Sequence, residues 1–83
     1  MNLFDQIKQK INKKINPENI ILIDNSHLHS KHKSFDKNKF HLKLIIKSKK
    51  LKDMSKIMAH KEIFLVLKDE MISKIHALEI EIQ

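Results

Sequence analysis

The residues of this chain best suited to chemistry are its histidines: six imidazoles in 83 residues, with no cysteine anywhere. A neutral imidazole binds iron, zinc or copper through one ring nitrogen. Soft-metal chemistry performed here must therefore use nitrogen and take its sulfur from another molecule. His76 stands in Lys74-Ile75-His76-Ala77-Leu78, where a helical pattern gives way to an alternating one. Strand parity sets it on the face of Leu78, Ile80 and Ile82, and a histidine at such a junction can also cap a carbonyl. His27, His29 and His32 fall in a polar stretch nearer the middle, at separations that suit a loop chelate. A zinc site made of His27, His29, His32 and His41 would lack any recognised zinc-site spacing. His60 lies mid-helix and reads as a packing or surface residue, and His41 reads as an exposed residue on the polar face of a strand.

These residues need elements to position them, and the hydrophobic periodicity supplies a set. Leu3, Phe4, Ile7, Ile11 and Ile15 recur at three- and four-residue steps, one face of an amphipathic helix. Asn2 is placed to cap it, and Pro17 stops it. Ile20-Ile21-Leu22-Ile23 reads as a buried strand bounded by Asp24, Asn25 and Ser26. From Asn25 to about Asn38 the chain is polar and aperiodic, a long loop. Phe40, Leu42, Leu44 and Ile46 alternate with His41, Lys43, Ile45 and Lys47, the period of a half-buried strand. Ser48 to Lys52 reads as a basic connection. From Asp53 to Ile75 a helical period runs too long for one stripe and predicts two helices, broken near Lys68-Asp69 with Asp69 as cap. Leu78, Ile80 and Ile82 alternate with Glu79 and Glu81 in a final strand. The order α-β-β-α-α-β predicts an α+β fold in one domain over residues 1–83, a three-stranded sheet with helices packed on one face.

Composition narrows the function. A chain this short builds one thin core, which weighs against a large enzymatic pocket. There is no cysteine nucleophile and no glycine for a phosphate-binding loop, so no catalysis is expected. Without cysteine the chain needs no oxidising compartment, and it shows neither a signal-peptide pattern nor an apolar run of membrane-spanning length. A cytoplasmic or organelle-matrix protein is expected.

The net charge of +7 is unevenly spread: residues 27–61 hold eleven Lys against two acids, whereas residues 62–83 hold two Lys against five. Lys43, Lys47, Lys49, Lys50, Lys52, Lys56 and Lys61 could form a basic patch for nucleic acid, or for an acidic partner. All seventeen cations are Lys, so the guanidinium fork that reads guanine is missing, as is the Gly-x-x-Gly loop of a KH reader.

Three segments in order resemble the BolA family: Asp24-Asn25-Ser26-His27-Leu28-His29, then Ala59-His60-Lys61-Glu62-Ile63-Phe64, then Asp69-Glu70-Met71 with Ile75-His76-Ala77-Leu78-Glu79-Ile80. The resemblance spans nearly the whole chain, although Ala59 and Lys61 stand where the family has arginines flanking the helical histidine. It implies a type-II KH-like α-β-β-α-α-β fold and partnership with a monothiol glutaredoxin around a bridging [2Fe–2S] cluster. The glutaredoxin cysteine and glutathione would supply sulfur. His76 and His29 would supply nitrogen, with His27 and His32 competing for the second place. The isolated chain is expected to be a monomer without cofactor, and the pair a heterodimer. Some bacterial members of the family are instead DNA-binding transcription regulators linked to stress and cell shape.

Overall fold

A computed structural model of the protein describes residues 2–26 and 39–83. His27, His29 and His32 lie outside the described residues. The chain order is α1 (Leu3–Lys14), β1 (Asn19–Asp24), β2 (Phe40–Lys47), α2 (Lys49–Lys52), α3 (Lys56–Val66), α4 (Lys68–Ser73) and β3 (Ile75–Ile82). This is the expected α+β arrangement with one short helix added.

Local chemistry sets most of the boundaries. Asn2 caps α1, its Oδ1 accepting the Asp5 N–H at 2.8 Å. The helix ends where Asn16 enters the left-handed region at φ 53°, just before Pro17. The expected connection over 48–52 folds into α2 because the Ser48 hydroxyl accepts the Leu51 N–H at 3.2 Å and Leu51 plugs into the core. Ser55 caps α3 in the same way, accepting from Met58 N–H. Asp69 does not cap α4. The helix break falls at Leu67, which has no side-chain cap bond and is fully buried, so packing rather than capping places it. Asp69 and Glu70 instead occupy the first turn of α4, where the helix dipole favours acids.

The sheet order is β1-β2-β3, with β1 antiparallel and β3 parallel to the central β2. Parallel pairing requires a crossover, and α2, α3 and α4 provide it. Register stacks the side chains in cross-strand layers. Ile20, Ile46 and Ile82 form one, and Leu22, Leu44 and Ile80 the next. These face the helices and meet Ile7, Ile11, Leu51, Ala59, Ile63 and Leu67 in the core. Phe40 joins from the start of β2, its ring 5.9 Å from that of Phe4 in an edge-on contact. The opposite face carries Ile21, Ile45 and Glu81, then Ile23, Lys43 and Glu79. The strand read as buried in β1 is thus buried on one side only: Ile21 and Ile23 are exposed, because the helices cover a single face of the sheet. A short apolar run cannot by itself distinguish the two cases.

One buried polar contact ties α1 to α4. Glu70 is 2% exposed. One of its carboxylate oxygens, Oε2, accepts from Lys10 Nζ and from Gln6 Nε2, each at 2.6 Å.

Candidate metal-binding surface at the start of the third strand

The site is built where the ends of β1, β2 and β3 meet. Asp24 Oδ1 accepts the Ser26 N–H at 2.9 Å, folding the chain into a tight turn after β1. That turn presents the Ser26 hydroxyl to the backbone N–H of His41, at 3.1 Å. Asn25 N–H then donates to the His41 carbonyl at 2.8 Å. On the other side, Phe40 N–H donates to the Lys74 carbonyl at 2.9 Å, joining the start of β2 to the end of α4. The backbone around His41 is therefore held from both flanking strands.

Pairing between β2 and β3 is irregular at this point. Phe40 opposes Ile75, but the next residue, His41, opposes Ala77. His76 is the extra residue of a bulge in β3. A bulge turns its unpaired residue out of the regular alternation, and it resets the parity here. Ile75 is buried on the helix side with Leu78, Ile80 and Ile82, while His76 is exposed. The parity expectation, which set His76 on the face of Leu78, Ile80 and Ile82, is corrected by this bulge. A single extra residue shifts every side chain before it to the other face.

The ring that meets His76 is His41. Their centroids are 4.8 Å apart with the planes tilted by 41°. His41 was expected to be exposed, but it is 8% exposed. Its position on the polar alternation of β2 was legible, but its burial was not, because Asn25, Ser26 and the β3 bulge close over it. A cavity of about 320 Å³ lies beside it, lined by Asn25, His41, Leu42, Ala77, Leu78 and Glu79. Among the described residues, no group of three or more His, Cys, Asp or Glu converges as a metal site. What this surface presents is two imidazoles side by side.

The other candidate residues are spread around the molecule. His60 is on α3 and shares a groove of about 400 Å³ with Lys52, Met54, Lys56 and the end of β3. Lys52 reaches across to the Ile82 carbonyl at 3.3 Å. Lys61, on α3, lines a neighbouring hollow with Ile57 and Phe64. Lys43 lies on the open face of the sheet, 3.9 Å from Glu79 and 3.7 Å from Glu81. Lys47, Lys49 and Lys50 are exposed at the far end of β2 and in α2. The seven lysines thus divide among the sheet face, α2 and α3.

The family model described as BolA-like protein matches residues 11–83. The chain belongs to the BolA-like family. A BolA relative from Haemophilus influenzae, described as a DNA-binding transcriptional regulator, is 30% identical over 82 residues, covering 99% of this chain and 77% of its own length. The BolA domain of SufE1 from Arabidopsis thaliana superposes with a TM-score of 0.82 at 28% identity, over 100% of this chain and 93% of that one. BolA1 from the same plant gives 0.83 at 24% identity, over 99% and 90%, a likeness of fold. In this BolA-like chain, the first and third sequence segments that carry the resemblance meet in space: Asp24, Asn25 and Ser26 clamp the strand whose His41 touches His76. Among the described residues, no helix is long and apolar enough to cross a membrane.

Proposed function

We propose that this BolA-like chain is a non-enzymatic adaptor that binds a monothiol glutaredoxin and completes a shared [2Fe–2S] site. The observation that carries the reading is an exposed imidazole, His76, raised on a strand bulge beside a second imidazole. Iron of a [2Fe–2S] cluster accepts imidazole in place of thiolate. A chain without cysteine can contribute nitrogen only, so both sulfur ligands come from the glutaredoxin cysteine and glutathione. An exposed donor suits that division, because a cluster carried by another protein can reach it. The family resemblance assigns the second nitrogen to His29, with His27 and His32 as its loop neighbours. Cluster-loaded glutaredoxin titrated with the wild-type chain is expected to change its visible circular dichroism. His76→Ala is expected to abolish the change. Matching spectra for the two chains would remove His76 from the site.

A second reading, a DNA-binding regulator, is favoured by the description of the Haemophilus influenzae relative and by the lysine-rich middle segment. Lys47, Lys49, Lys50, Lys52, Lys56 and Lys61 would contact phosphates, and Lys43 would first have to leave Glu79 and Glu81. Affinity for candidate promoter and scrambled duplexes should be measured across salt concentrations. A regulator is expected to prefer one sequence by about 10³-fold or more. Equal affinities with a steep salt slope would reduce the interaction to charge alone.

A further inference from the structure

We propose that His41 is the second nitrogen donor of the site, so that one metal ion is held by a cross-strand imidazole pair, His41 with His76. The inference deepens the adaptor reading and rests on it for the identity of the metal. The pair itself rests on geometry.

Two imidazoles bound to one tetrahedral ion at 2.0–2.1 Å hold their donor nitrogens about 3.3 Å apart. Rings held in that way have their centroids about 5 Å apart, close to the 4.8 Å between His41 and His76. The tilt of 41° keeps the rings from stacking face to face, an arrangement in which both nitrogen edges would point away from a common ion.

Both donors are on regular structure. The His41 backbone is fixed by Ser26 Oγ at 3.1 Å and by Asn25 N–H at 2.8 Å. His76 is fixed by the bulge against His41 and Ala77. Donors on strands are held more closely in position than donors on a loop. The bulge does two things at once: it buries Ile75 in the core and exposes His76, which unbroken alternation would have placed with Leu78, Ile80 and Ile82. Bulges commonly re-aim one side chain at a functional site.

The depths of the two rings divide the work. His41 is the inner donor, 8% exposed but bordering the cavity beside Asn25 and Glu79. His76 is the outer donor, exposed to an approaching molecule. Two imidazoles on a single iron are an established way for a [2Fe–2S] cluster to be half-ligated by nitrogen. This pair meets that need without a contribution from the loop histidines. The remaining positions on the ion stay open for donors from elsewhere.

The first arm of the test uses the full chain with His27, His29, His32 and His60 changed to Gln, leaving only His41 and His76. Copper(II) is titrated in and followed by electron paramagnetic resonance. One ion per chain with two nitrogen couplings is expected. Adding His41→Gln or His76→Gln should leave one coupling and weaken binding about 10–100-fold, the loss usual when even an outer-shell partner of a metal ligand is removed. His41→Phe fills the same slot without a donor, so it separates lost ligation from lost folding. If His41→Phe binds copper with unchanged affinity and couplings, the proposal is overturned.

The second arm repeats the glutaredoxin titration. His41→Phe should lose the visible signal as His76→Ala does, and His29→Gln should keep it. The reverse pattern would return the second ligand to the loop. If wild-type chain takes part in no cluster while the copper pair holds, the adaptor reading fails and the imidazole pair stands.

Discussion

Replacing Lys10 with Met is expected to lower the urea midpoint sharply at neutral pH, because it leaves the buried Glu70 carboxylate without its cation. A chain of this size has only roughly 4–12 kcal/mol in total, so the loss should be plain in a urea titration. Glu70 is 2% exposed, and its carboxylate depends on Lys10 and Gln6, both at 2.6 Å. Burial pushes the carboxyl pKa up. The hydrogen bonds from Lys10, from the Glu70 backbone N–H and from Gln6, together with the Lys10 charge, outweigh it and hold the group below the usual carboxylate range. The same hydrogen bond, partly offset by desolvation, raises Lys10 above its ordinary value.

The signs of the pH dependence follow. A depressed carboxyl contributes stability above its unfolded pKa, near ~4.3, and that contribution is lost as pH falls through the lower folded value. A raised lysine contributes below its unfolded value and loses that contribution only as pH rises through the folded one. In Lys10→Met the burial cost is no longer offset by the ammonium, so acid relieves strain instead of causing it. Urea midpoints of the two proteins should therefore lie far apart at neutral pH and converge in acid. Glu70→Leu should be milder, since Lys10, with a side chain 35% exposed, can turn to water. Equal midpoints for wild type and Lys10→Met at neutral pH would show the pair to be inert.

Leu44→Ala is the second large effect, expected at about 2–5 kcal/mol. Leu44 is fully buried at the centre of β2, opposite Leu22 on one strand and Ile80 on the other. The central strand is hydrogen-bonded on both sides, so it has little freedom to close a cavity left by the lost side chain. The urea midpoint should fall with the slope unchanged, as for a pure loss of stability. Ile57→Ala offers the contrast. Ile57 is 81% exposed on α3, and its removal should stay within about 0.5 kcal/mol. A comparable loss at both positions would contradict this placement of the core.

Much of this molecule was legible from periodicity and capping. The stripe from Leu3 to Ile15, with Asn2 before it and Pro17 after it, defines α1 with little error. The alternation from Phe40 to Lys47 defines β2 to the residue. The acidic alternation after Ala77 defines most of β3, and the order of these patterns defines the fold class. Such features are local. Each depends on side chains within a turn or two of one another, so neighbouring residues suffice to express it.

The partnerships were decided in three dimensions. Nothing local pairs Lys10 with Glu70 until α4 brings the carboxylate against α1. Ile21 and Ile23 read as core until the helices take only one side of the sheet. His41 reads as a surface residue until Ser26 and Asn25 hold its strand and the bulge lays His76 against its ring. The sequence by itself determined which residues form helix and strand and which alternating face of a strand is polar. Only the tertiary structure decided which faces meet and where the register slips. Register and contact depend on the combined packing of elements distant along the chain, a sum that no local pattern contains.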